Sequence, residues 1–335
     1  RRLESGPSVT VIGGGHGLSV LLRGLKEATS NVTAVVTVAD DGGSSGRLRS
    51  DLGILPPGDM RNCLVALADT EPLMEKLFQY RFEGDGELAG HSFGNLFIAA
   101  MNEVTGDMET ALKESSKVLA VKGRVIPASN APVRLDALMT DGTVVEGESH
   151  IPEAKKHIRR VSLYPRHAAP VQSALDAILA ADIILLGPGS LYTSVMPNLL
   201  VDGMADALRK SRAVKIYICN VMTQPGETDD YTAAEHVKAI LDHAGKGVVD
   251  YALVNAAKVP PLTTTAYAAQ GAYPVKVDAA ALNQLGVGVI PADIVSATDP
   301  GHHDPKKLTR EVMKLLETLR SSERVGRELH SDSTL

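Results

Sequence analysis

A doubly wound, Rossmann-like α/β fold, a mostly parallel sheet with helices on both faces, is what this sequence predicts. Three observations predict it. Short apolar runs of strand length pass repeatedly into glycine-rich or polar turns that open helical repeats, as at residues 9–12, 183–186 and 214–219. Hydrophobic residues make up 44% of the chain but aromatics only 4%, and Trp is absent, so the core is aliphatic, as suits a helix-covered parallel sheet. Strands follow one another without an intervening helix only at about 123–164, where VRLDALM and TVVEGES flank Asp141-Gly142, which predicts a small antiparallel β insertion.

The first strand runs into Gly13, Gly14, Gly15, His16 and Gly17, after which Leu18, Leu21, Leu22 and Leu25 fall at helical spacing. Glycine there lets a ligand approach the backbone, and a helix start offers unpaired N–H groups and a positive dipole end. A phosphate site is the natural reading. The dinucleotide fingerprint GxGxxG needs a third glycine at position 18, which is Leu. Asp40, at the end of the second strand, nevertheless stands where a ribose-binding acid would, so a dinucleotide stays open beside a plain strand-to-helix turn. The acid is doubled as Asp40-Asp41 and continues through Gly42 into GGSSGRLR.

At 335 residues a length prior gives about two domains. The pattern argues instead for one large α/β domain over 1–320 carrying the insertion, then a C-terminal tail at 321–335. The formal charge of −6 and a pI near 5.9 exclude broad nucleic-acid binding, which needs a basic footprint. Cys63 and Cys219 lack metal or disulfide spacing. No apolar run reaches transmembrane length and no secretory signal precedes the first strand, so a cytoplasmic location without membrane insertion is expected.

Residues 42–59 read as a long functional loop in which Arg47 and Arg49 can clamp an anion. Asp59 is a candidate N-cap for the helix that follows, with Arg61 and Asn62 in its first turn. A short helix is expected at 72–80 and a longer one at about 96–104. Before the longer helix, Gly90, His91, Ser92, Phe93 and Gly94 spell GxSxG, but the preceding residues form a polar loop where a nucleophile elbow needs a buried strand. Ser92 is better read as a helix cap, with His91 and Asn95 turned toward ligand or neighbouring loops. In the insertion, Arg134, Asp136 and Glu146 read as a solvated face.

The doubly wound pattern resumes with a helix at 171–180 and the strand 183–186, then Gly187, Gly189, Ser190 and Tyr192 in GPGSLYTS. Backbone and hydroxyl donors there suit a phosphate, and Tyr192 a sugar or base. After the strand at 214–219 come Asn220, Thr223, Gln224, Glu227 and Thr228, a polar turn suited to a hydroxyl-rich ligand, while Thr232 and Glu235 form a capping box. Short strands are expected in YALVN, PVKV and GVGVI, with Tyr267 in a helix-like run. His302, His303 and Asp304 suggest a metal, but adjacent histidines diverge on regular backbone, so a solvent-exposed loop is preferred. The last helix is expected at 305–319, with a frayed SDSTL tail.

Together GGGHGLSVLLRGL, VTVADDGGSSGRLR, PPGDMRN, GHSFGN, GPGSLYTSVMPNLL and ICNVMTQPGETDDYTAAEHVKAI resemble the YvcK proteins, or gluconeogenesis factors, of the CofD-like superfamily, over about 9–319. CofD members are 2-phospho-L-lactate transferases that use magnesium, whereas the YvcK branch resembles a UDP-sugar-binding regulatory group tied to carbon metabolism, cell-wall synthesis and cell shape. DDGGSSGRLR and TQPGET side with YvcK. The resemblance implies a UDP-sugar such as UDP-N-acetylglucosamine, or another nucleotide-phosphate ligand, a protein partner in cell-wall synthesis, and compatibility with a homo-oligomer. It implies that the first glycine loop and Asp40 surround the nucleotide-sugar, that Asn220, Thr223 and Gln224 lie beside ribose or sugar, and that Tyr267 packs on the uracil. Two positions depart from the family pattern: His16 stands in place of a threonine and His302 near the place of a basic residue. No cofactor is certain. If the chain catalyses transfer, Asp40, Asp41 and Asp59 are the candidates to hold Mg²⁺ against a pyrophosphate, since magnesium commonly takes one or two carboxylates plus phosphate oxygens.

Overall fold

Strand β1 (Val9–Gly13) is buried along its whole length, because it lies at the centre of a sheet covered on both faces. The computed structural model of the chain describes residues 6–70 and 72–331. Beside β1 lie β2 (Val32–Val36) and then β3 (Arg124–Pro127). The small sheet comprises β4 (Arg134–Met139), β5 (Val144–Glu146) and β6 (Ile158–Tyr164). The other half of the large sheet is β7 (Ile183–Leu186), β8 (Val214–Ile218), β9 (Tyr251–Asn255) and β10 (Gly288–Ala292).

The strand order is β10-β9-β8-β7-β1-β2-β3, and every pair in it is parallel. The chain winds outward from β1 to β3, returns, and winds the other way from β7 to β10. Order therefore reverses between β1 and β7, which opens a crevice at the carboxyl ends of those two strands. The α/β expectation holds, and so does the antiparallel insertion, where β4 pairs with both β5 and β6. One buried apolar cluster runs through both sheets, from Val9 and Ile12 to Leu135, Val161 and Leu163.

Several local expectations need correction. The insertion begins after β3, since Arg124–Pro127 pairs parallel with β2 in the large sheet. The second strand ends at Val36, so Asp40 lies beyond it, outside any regular element. Residues 43–52 are a helix rather than loop: Gly43 opens it at φ +49°, left-handed Gly53 closes it, and Leu48 packs on Ile54 and Ala99. PVKV is not a strand, although Val275 N–H donates to the Val221 carbonyl. The last helix continues past Leu319 to Ser331, and the rest of the SDSTL tail lies outside the described residues.

Other readings stand. Ser92 Oγ accepts the Asn95 N–H at 3.2 Å as the cap of the helix Phe93–Thr105. That helix begins three residues earlier than expected, and the capping leaves no nucleophile elbow, because polar loop and not a strand precedes Ser92. Thr232 and Glu235 form the expected capping box. Among the described residues no helix is long and apolar enough to cross a membrane.

Candidate functional site

The loop after β1 and the loop after β7 touch. Gly14 is extended and Gly15, at φ +68°, begins the helix Gly15–Leu25, so the loop presents backbone rather than side chains to the crevice. A Cβ on Gly17 would stand 2.8 Å from the Pro188 carbonyl oxygen, so only glycine lets the two loops meet at this distance. Asn198 Nδ2 ties the same region together by donating to the Gly13 carbonyl at 3.1 Å.

A cavity of about 390 Å³ opens over this junction. Gly14, Gly15, His16 and Gly17 line it from one side and Gly189 and Ser190 from the other. Asn220, Thr223 and Gln224 reach it from the turn after β8, and Tyr267 closes it from the helix Pro261–Ala268. The segment after β10 adds Gly301, His302 and His303. Tyr267 OH is 3.2 Å from His302 Nδ1, and the tyrosine ring packs against Gly301. His302 is exposed, as expected of that loop. His303 is not: it is half-buried, its Nε2–H donates to the Cys219 carbonyl at 3.1 Å, and burial pushes its pKa down to about 4.

A smaller cavity, about 210 Å³, lies on the other side of the glycine loop. Asp40, Gly42, Asp59, Arg61, Asn62 and Asn95 line it with Ser44 and Ser45. Asp40 Oδ1 accepts the Gly42 N–H at 2.9 Å, and burial raises its pKa. Asp59 is not the N-cap of Gly58–Leu67, which falls on Pro57. It is the second residue of the helix, in its first turn, and its carboxylate accepts the Gly15 N–H, so it serves the neighbouring helix instead. Burial, and then the Asp40 charge, push the Asp59 carboxyl up to about 6. Asn95 Nδ2 donates to Ser44 Oγ at 3.0 Å, and Ser44 Oγ is 2.9 Å from His91 Nδ1, so His91 and Asn95 face the helix at 43–52. Arg61 Nη2 donates to Asn62 Oδ1 at 2.7 Å.

Four expected residues stand elsewhere. Gly13 and Gly187 lie beneath the cavity and supply backbone only: the Gly13 carbonyl accepts the Thr37 N–H, and Gly187 N–H donates to the Ile12 carbonyl. Tyr192 is buried and turned away, its hydroxyl 2.9 Å from that of Tyr231. Asp41 turns to the insertion, where its two oxygens accept the Glu148 and Ser149 N–H groups at 3.0 and 2.9 Å.

One carboxylate, Glu148, went unread, and another, Glu227, was read only as part of a polar turn suited to a hydroxyl-rich ligand. Glu148, brought in by the insertion, is pushed up to about 8 by burial and then by Asp40 and Asp41. Glu227 is fully buried, accepts from Tyr192 N, Thr193 Oγ1 and Gln224 Nε2, and is pushed up to about 7 by burial. Glu227 stood in the polar turn and its burial was signalled only by the strand before it. Glu148 meets Asp41 across 107 residues, and no local pattern reports such a contact.

The donor set fits Mg²⁺ in a limited way. Asp40 and Asp59 share the smaller cavity and both have raised pKa values that a cation would lower. No cluster of three or more His, Cys, Asp or Glu able to hold a metal occurs among the described residues. Two carboxylates with ligand phosphate oxygens would suffice for magnesium.

A glycine-loop crevice at the switch point of a parallel sheet, with polar turns from four strand ends, is the kind of place where open α/β sheets take phosphate-bearing ligands. The family model described as 2-phospho-L-lactate transferase CofD matches residues 9–295. A protein named gluconeogenesis factor from Halalkalibacterium halodurans is 53% identical over 309 residues, 92% of this chain and 96% of its own. The gluconeogenesis factor of Bacillus subtilis is 52% identical over 311 residues, 92% and 98% of the two chains. The crystal structure of protein BH3568 from Bacillus halodurans superposes with a TM-score of 0.90 at 53% identity, covering 92% of this chain and all of that one. The chain belongs to the CofD family, in its gluconeogenesis factor (YvcK) branch.

Proposed function

We propose that this protein binds a UDP-sugar, with UDP-N-acetylglucosamine as the trial ligand, and acts as a cytoplasmic regulator of cell shape and cell-wall synthesis during growth on gluconeogenic carbon sources. One observation carries the ligand reading: the two glycine loops, the polar turn after β8 and Tyr267 line one cavity. The diphosphate would lie on the N-terminus of Gly15–Leu25, the sugar hydroxyls against Asn220, Thr223 and Gln224, and the base on Tyr267. The regulatory reading rests on the relatives' name and adds a protein partner in cell-wall synthesis that receives the signal.

Calorimetric titration with UDP-N-acetylglucosamine, GDP and NAD tests it. A uridine-selective response is expected, weakened roughly tenfold or more in Tyr267→Ala, since base–aromatic stacking is worth about 1–3 kcal/mol. No binding of any uridine nucleotide sinks the proposal.

The smaller cavity favours a second reading, transfer of a phosphate-linked group. Magnesium on Asp40 and Asp59 would supply charge stabilisation for the phosphoryl oxygens, and Arg61 and Asn95 would hold an acceptor in that cavity. Magnesium-dependent consumption of a nucleotide-linked donor, lost in Asp40→Ala, would support transfer. Intact binding without turnover leaves the regulator.

A further inference from the structure

The larger cavity has an unusual charge balance for a diphosphate site. Among the described residues no lysine or arginine lines it, and its titratable cations are three histidines, His16, His302 and His303. His303 is held neutral by its place against the Cys219 carbonyl. His16 and His302 stand at the mouth on opposite walls, one in the first turn of Gly15–Leu25 and the other on the segment after β10. They are close enough for the His302 charge to be felt at His16.

We propose that ligand binding at this cavity is proton-linked, with His16 protonating as a diphosphate enters and supplying positive charge to a lining that, among the described residues, holds no lysine or arginine. The proposal rests on the phosphate-ligand reading above and adds its regulation. The groups facing His16 are Arg23 of its own helix and His302 and Asp299 across the mouth. Burial first, and then the Arg23 charge, lower the His16 pKa, so the ring enters the encounter largely neutral near pH 7. His302 faces Asp299 at 2.8 Å and the Tyr267 hydroxyl at 3.2 Å, with His16 and His303 as its other charged neighbours. A dianion against the His16 ring favours its protonated form.

By linkage, a ligand that raises proton affinity must itself bind more tightly where protons are plentiful. Affinity therefore falls as pH rises. Asp59 and Glu227, which ionise near pH 6 and 7, would push the same way by repelling phosphate, so the slope alone does not identify His16. A variant does.

The test uses UDP-N-acetylglucosamine, whose two phosphates are both esterified and so do not themselves titrate near neutrality. Calorimetry is run between about pH 6 and about pH 8 in buffers of different ionisation enthalpy, with and without magnesium. A full proton taken up predicts an affinity loss of about tenfold per pH unit, together with a buffer-dependent heat. His16→Gln flattens the slope and lowers the buffer-dependent heat. Ring-proton resonances of His16 shift toward the protonated form on ligand addition. Binding with no pH slope overturns this inference and leaves the UDP-sugar reading intact. A full slope in His16→Gln also overturns it and assigns the effect to the carboxylates. Absence of binding at every pH sinks both.

Discussion

Asp59 shows how one side chain couples the fold to the site. Its carboxylate accepts the Gly15 N–H, so it occupies from behind a donor at the same helix start that faces the cavity. A buried acid there is costly once ionised, and its pKa rises from 3.8 to about 6. In the folded chain the proton is held more tightly than in the unfolded chain. The stabilising influence of protonated Asp59 is thus complete below about pH 3.8 and is lost as pH climbs through 6. Two units correspond to about 3 kcal/mol at the upper end, less to the degree that water enters the small cavity. Asp59→Asn keeps an acceptor for Gly15 without the charge. Thermal melts in chelator should show the variant gaining on the wild type as pH is raised across that window, by several degrees. A gap that does not change with pH would mean that Asp59 is solvated well enough to ionise normally. Added magnesium should narrow the gap if Asp59 helps to hold the cation.

The two glycine loops act as elements only together. Gly17 sits at ordinary helical φ, so its freedom is not what matters; the Pro188 and Gly189 backbone occupies the space where its side chain would be. Gly17→Ala has to push two strand-end loops apart. A loss of about 1–3 kcal/mol, the usual cost of overpacking, is expected in urea unfolding, and UDP-N-acetylglucosamine binding should weaken at least as much. Unchanged binding in a stably folded Gly17→Ala chain would show that the loop junction does not shape the ligand site. The strands of this junction were readable because their apolar runs end abruptly in glycine, as at Ile183–Leu186, which the periodicity placed without error. The helix at 43–52 was not readable, because glycine and serine dominate it and its support comes from Leu48 packing on distant Ala99. Tyr192 misled for a related reason: the π-helical turn at Leu191–Val195 rotates it away from the cavity, and sequence spacing does not announce such a turn.

At the scale of the whole molecule, the cavity takes residues from both windings of the sheet. The β1 loop belongs to the half that proceeds to β2 and β3, while Ser190, Asn220, Tyr267 and His302 follow β7, β8, β9 and β10 in the other half. Nothing in one strand's sequence states that it will neighbour another; the crevice follows from the reversal between β1 and β7. A ligand that touches both halves stabilises the chain by mass action, about 2.7 kcal/mol at a hundredfold excess over its dissociation constant. For a chain of this size that corresponds to a melting shift of roughly 5 °C. Hydrogen exchange with UDP-N-acetylglucosamine should slow at residues 14–17 and 187–194 and equally at 220–225, 261–271 and 299–303. The antiparallel sheet β5-β4-β6 lies away from the cavity and serves as the internal control, with exchange unchanged. Protection confined to one half, or spread into that control sheet, would show that the ligand does not bridge the switch point.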